Sequence, residues 1–130
     1  MYGFTTKFKG RYEEAIQRVT EELSKEGFGV LTEIDVKATL KKKLGIEKRP
    51  YIILGACNPE LANKALTAEP DIGLLLPCNV VVREEEDNTV TIAFMDPQAV
   101  LGLVQQPGIH DLATAVKAKL ERVRERLDVS

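Results

Sequence analysis

The stretch from Leu74 to Phe94 constrains the fold more than any other. Leu74, Leu76, Cys78, Val80 and Val82 occupy every second position, and Val90, Ile92 and Phe94 do so again after a polar break. Strict alternation marks a strand with one buried face, so the two runs read as the arms of a hairpin. Its turn is Glu86-Asp87-Asn88, a three-residue loop with Asn88 in the left-handed conformation that asparagine tolerates. That loop pairs Val82 with Ile92 and Val80 with Phe94, all on the core face. A two-residue loop at Asp87-Asn88 would turn Glu85 and Arg83 inward, and burying unpaired charge costs several kcal/mol. The longer loop is therefore expected, and it places Cys78 opposite Asp96 at the far end of the hairpin.

The other elements follow the same logic. Tyr2, Phe4, Thr6 and Phe8 alternate in a first strand that Gly10 breaks. From Tyr12 to Glu26 the apolar positions Tyr12, Ala15, Ile16, Val19 and Leu23 fall three and four apart on one helical face, and Glu22 is assigned to the polar face. Gly27 sits where a helix wants a left-handed residue. A second strand is expected over Gly29–Val36 and a short lysine-rich helix over Ala38–Leu44, stopped by Gly45. A third strand covers Tyr51–Cys57. Asn58 then reads as an N-cap with Pro59 at the first helical position, opening a short helix to Leu66. Gln98–Gln105 is short-helical or irregular. The last helix spans Ile109 to Leu127, with Leu112, Val116, Leu120, Val123 and Leu127 as its stripe. The expected fold class is α+β in the order β-α-β(4)-α, a mostly antiparallel five-stranded sheet with both long helices on one face.

A chain of 130 residues suits one domain over 1–130, large enough for a core without a metal or disulfide staple. Eighteen Lys plus Arg against 20 Asp plus Glu give a net charge of −2, which argues against a dedicated nucleic-acid binder. No apolar run is long enough to span a membrane, and no membrane partner is expected. The N-terminus lacks the apolar core of a signal peptide. With only two cysteines, a reducing cytoplasm is the expected compartment.

Phosphate loops, dinucleotide fingerprints, Cys-x-x-Cys and His-Glu-x-x-His are all missing from the sequence. The residues that could carry chemistry gather at one end of the expected sheet. Cys57-Asn58-Pro59 closes the third strand and Pro77-Cys78-Asn79 opens the fourth, so the two thiols are expected near one another, with Asp96 close by. The thiols read either as small core hydrophobes or as a redox pair or soft-metal ligands. Two thiols are an incomplete zinc set, which Asp96, His110 or a partner subunit would have to complete. His110, the one histidine, reads as a residue at the entry of the last helix. Asp96 before Pro97 reads as a strand-ending turn residue or as a general base or ligand, and Glu33 and Asp35 as solvated carboxylates or, if their face of the sheet is covered, as a cation or amine site. Lys37, Lys41, Lys42, Lys43, Lys48 and Arg49 form a basic cluster with only Glu47 against it, which reads as a solvated face or as a site for phosphate, nucleic acid or an acidic partner, without the aromatics that base stacking needs.

Four segments in order, Gly27–Val36, Lys43-Leu44-Gly45, Tyr51–Pro59 and Leu74–Val82, resemble the domain-of-unknown-function family numbered 302. The resemblance implies a fold like half of the TATA-binding protein, a curved antiparallel sheet with two helices across its concave side. It also implies a homodimer, and it implies no activity. Three functions remain open. The first is a domain that binds a small ligand or a divalent metal ion at Cys57, Asn58, Cys78, Asn79 and Asp96, with Cys57, Cys78 and His110 as the candidate metal ligands. The second is a thiol-based redox protein or enzyme using the same cysteines. The third is a dimerising interaction module without catalysis.

Overall fold

A computed structural model of the chain describes residues 1–128. Five strands, β1 (Gly3–Phe8), β2 (Gly29–Asp35), β3 (Tyr51–Cys57), β4 (Cys78–Glu84) and β5 (Val90–Met95), form one sheet in the order β1-β5-β4-β3-β2. Every pairing is antiparallel. The two long helices are α1 (Tyr12–Lys25) and α5 (Ile109–Asp128), and three shorter ones lie in the connections: α2 (Val36–Leu44), α3 (Pro59–Ala68) and α4 (Pro97–Leu101). The β-α-β(4)-α order and the antiparallel sheet are as the alternation patterns require.

The central hairpin has the expected register, with Val80 opposite Phe94 and Val82 opposite Ile92. Glu85 and Thr89 close the loop through a 2.8 Å hydrogen bond from Glu85 N–H, and Asn88 takes φ 70°. On the core face Ile52, Leu54, Ala56, Cys78, Val80, Val82, Ile92 and Phe94 meet Ala15, Val19 and Leu23 of α1 and Val116, Leu120, Val123 and Leu127 of α5 in one apolar cluster. Both long helices thus cover the same face of the sheet. Each large aliphatic side chain buried there contributes about 1.5–3 kcal/mol. A second, smaller cluster joins Ala65, Ile72, Leu101, Ile109 and Ala113 beyond the end of the sheet. It is this outlying cluster that anchors α3 and leaves space between α3 and the strand ends.

Three expectations are corrected. Glu22 is not on the solvated face of α1. It is 4% exposed and held by Arg126 of α5 at 2.5 Å, with Lys25 at 3.1 Å and Arg18 at 3.2 Å. Seven residues after Ala15, it returns to the buried stripe, and the arriving arginine makes burial tolerable. β2 stops at Asp35, whose side chain accepts from Ala38 N–H at 2.9 Å, so that Val36 opens α2 instead of extending the strand. Leu74 and Leu76 are not in β4. Pro70–Leu75 forms a 3-10 turn, and Ile72, Leu75 and Leu76, three and four apart, pack into the second cluster while Leu74 faces solvent. Pro77, which has no N–H for the ladder, precedes the first residue of the strand.

Candidate functional site

A cavity of about 330 Å³ lies where β3 ends and β4 begins. Ala56 and Cys57 of β3 and Cys78 of β4 form its strand side, Leu61, Ala62, Ala65 and Leu66 of α3 its helical wall, and Leu76 and Pro77 another side. β2 supplies Leu31 and Thr32 through a bulge. Val30 pairs with Ala56, but Thr32 pairs with the very next residue, Gly55. The extra residue, Leu31, is largely exposed at the cavity rim, and Thr32 is drawn over Gly55. A side chain at Gly55 would collide with the Thr32 hydroxyl and stand 2.9 Å from Pro77 Cγ. A glycine in mid-strand is the one sequence signal of this close approach. Thr32, Leu61, Ala65 and Pro77 were missed by sequence reasoning because they are joined only through the bulge and the placement of α3.

The expected site residues divide. Cys57, half-buried, and Cys78, 6% exposed, both line the cavity. Burial first, and then the nearby Cys57 thiol, push the Cys78 pKa up to about 11. Its sulfur is therefore a neutral thiol at physiological pH, a weak nucleophile and a poor metal ligand. Asn58 belongs to the wall, but its amide is spent on structure. The oxygen accepts from Leu61 N–H at 3.2 Å and the nitrogen donates to the Glu26 carbonyl at 3.3 Å.

Asn79 does not join the two thiols. Consecutive strand residues point to opposite faces, and Asn79, opposite Gly55, lines a separate cavity of about 460 Å³ on the open face with Val81, Arg83, Ala93 and Met95. Asp96 is also elsewhere. It caps α4, accepting from Gln98 N–H at 2.9 Å, and pairs with Lys117 at 2.9 Å. Burial opposes its charge, but Lys117 and the backbone N–H groups of Gln98 and Ala99 outweigh that and hold its pKa below the usual carboxylate range. His110 is exposed in the first turn of α5 and lines neither of these cavities. Among the described residues no three His, Cys, Asp or Glu side chains cluster as a metal set requires, so one chain does not assemble Cys57, Cys78 and His110 around an ion. Glu33 is exposed and Asp35 is the α2 cap. No helix among the described residues is long and apolar enough to cross a membrane.

None of the residues lining the cavity at the strand end carries a charge; its polar groups are Thr32, Cys57, Asn58 and Cys78. Such a site suits a compact uncharged molecule and offers nothing to neutralise a carboxylate, phosphate or ammonium group.

No curated protein matches the chain. Among solved structures it is similar to the crystal structure of an uncharacterized conserved protein DUF302 from Bacillus stearothermophilus, with 31% identity over 98% of each chain and a TM-score of 0.89. The family model described as "Domain of unknown function DUF302" matches residues 4–127, nearly the whole described fold, and the chain therefore belongs to the DUF302 family.

Proposed function

We propose that this domain binds a small uncharged molecule in the cavity between β3, β4 and α3. The observation that carries the reading is the lining itself: a space of about 330 Å³ with apolar walls, no charged group, and two thiols at its strand end. Natural ligand sites pair an apolar enclosure with a few polar groups that fix orientation. Here Thr32 and the half-buried Cys57 are the groups available for that purpose, since Asn58 is occupied as a cap. The neutral state of Cys78 favours binding over thiolate chemistry.

The test uses N-phenyl-1-naphthylamine, an uncharged probe whose fluorescence rises in apolar surroundings. At about 0.3–0.4 kcal/mol per heavy atom, a probe of roughly 17 heavy atoms binds with a Kd on the order of 100 μM. Ala62→Phe places a ring in the cavity and is expected to weaken the probe about tenfold or more with the melting temperature retained; Leu66→Trp, on the half-exposed part of the same wall, is the second variant. A linear, unsaturable fluorescence response, or equal binding by both folded variants, would defeat the proposal.

A further inference from the structure

The charge of this chain is unevenly divided. Between Val36 and Pro50 six cations stand against one carboxylate, so that segment carries +5 and the remainder of a chain with total charge −2 carries −7. This charge lies on α2 and the turn after it, next to β2 at the edge of the sheet. Two of the six cations are engaged: Lys41 pairs with Glu47, and Arg49 reaches Glu84 and Asn88, each at 2.5 Å. Lys37, Lys42, Lys43 and Lys48 are exposed and make no ion pair or side-chain hydrogen bond among the described residues.

α2 buries none of its nine residues. A helix this short gains little from propensity alone, and its ends are fastened instead. Asp35 caps the first turn. At the other end Gly45 takes φ 67°, Gly45 N–H bonds the Lys41 carbonyl at 3.0 Å, and Ile46 N–H turns back to the Leu40 carbonyl at 3.4 Å. That closure fixes the backbone of the lysine-rich segment that also carries Leu44 and Ile46, which are 64% and 43% exposed.

We propose that this basic edge docks the protein peripherally on an anionic phospholipid surface. The unpaired cations are all lysines, compact hydrated charges suited to a diffuse negative surface; protein interfaces are instead depleted in lysine and enriched in arginine. Leu44 and Ile46 have an apolar layer to enter beneath lipid headgroups but nothing to bury against on a nucleic-acid backbone, and the segment offers no ring for base stacking. Each lysine near such a surface strengthens binding about fivefold. The contact needs no spanning segment and lies apart from the ligand cavity.

Cosedimentation with vesicles tests this, comparing phosphatidylcholine alone with phosphatidylcholine containing roughly one third phosphatidylglycerol. The protein is expected to pellet with the anionic vesicles only and to be released at about 0.5 M salt. The combined variant Lys37→Gln, Lys42→Gln, Lys43→Gln, Lys48→Gln is expected to lose nearly three orders of magnitude in binding, about 600-fold. Leu44→Ser with Ile46→Ser should weaken binding about tenfold while leaving its salt dependence in place. Because α2 buries nothing, these variants keep the fold, which circular dichroism checks, and Ala62→Phe should bind vesicles as the parent does. The proposal falls if anionic vesicles retain no protein, or if the four-lysine variant binds them equally well. It also falls if single-stranded DNA or polyglutamate binds this edge more tightly than the vesicles do.

Discussion

Replacing Glu22 by Gln removes one charge from the junction of α1 and α5 with almost no change of shape. Glu22 is nearly fully buried and accepts from Arg126 at 2.5 Å, Lys25 at 3.1 Å and Arg18 at 3.2 Å. Breaking a buried pair by removing one partner costs about 3–5 kcal/mol. Two features lower that figure here. Arg18 and Lys25 are partly exposed and regain water, and Arg126 keeps Glu26 at 3.0 Å and the Glu22 carbonyl at 3.3 Å. The expected loss is therefore about 2 kcal/mol at pH 7, a fall in Tm of about 6–10 °C for a domain of this size. The pH dependence makes the test specific. Burial opposes the charged form of Glu22, but Arg126, Lys25 and Arg18 outweigh it and hold its pKa below the ordinary carboxylate value. A depressed carboxylate contributes stability that is fully present above the unfolded pKa, about 4.3, and is lost as pH falls through the lower folded pKa. The parent and Glu22→Gln should thus differ most at neutral pH and converge as acid protonates Glu22. Thermal melts at about pH 7, 5 and 3 follow this convergence. Equal Tm values at neutral pH, or a gap that persists undiminished in acid, would show that the charge does not stabilise the helix pair.

Two other outcomes follow from the cavity. Under iodoacetamide at about pH 8, mass spectrometry should find one adduct on folded protein, at half-buried Cys57, with Cys78 labelled only after unfolding, because its thiol is both enclosed and far below its pKa of about 11; two rapid adducts on the folded chain would contradict that environment. Gly55→Ala should destabilise by about 1–3 kcal/mol in chemical denaturation, since the new methyl meets Thr32 and Pro77, and an unchanged midpoint would mean the bulge yields more easily than its packing implies.

Much of the fold was legible because its signals are local. The Asn88 turn fixed a register that inward-facing charge would have spoiled in any shorter loop, and Asn58-Pro59 and Gly27 mark helix ends through their own backbone requirements: Asn58 caps α3, and Gly27 takes φ 83°. The misread elements are those where two local signals compete. Ile34 and Val36 continue an alternation, yet Asp35 between them is a cap, and the cap prevailed. Leu74 and Leu76 extend the β4 alternation, yet the same run also spaces Ile72, Leu75 and Leu76 for a helical turn. The second cluster decided between the two readings, and that cluster is assembled from residues distant in sequence. Glu22 shows the same limit, for its neighbour Arg126 is separated from it by most of the chain.

The site was legible only at its strand end, and the way it divided is instructive. Cys78 and Asn79 were grouped because they adjoin in sequence, but the period of two that identified β4 also sends adjacent side chains to opposite faces. Once Cys78 was assigned to the core face by its alternation with Val80 and Val82, Asn79 had to leave the site. Asp96-Pro97 carried a comparable signal, an acidic cap before a proline at the first helical position, and its pairing with Lys117 completes a structural role. The cavity itself comes from a mismatch of layers. α1 and α5 fill the core face, whereas α3 is tied by Ala65 to Ile72 and Ile109 beyond the sheet and meets the strand ends only along one side. The bulge at Leu31 brings Thr32 across Gly55 at the edge of the same space. The pocket thus lies between two separately packed clusters, the α1–α5 core and the smaller one that holds α3.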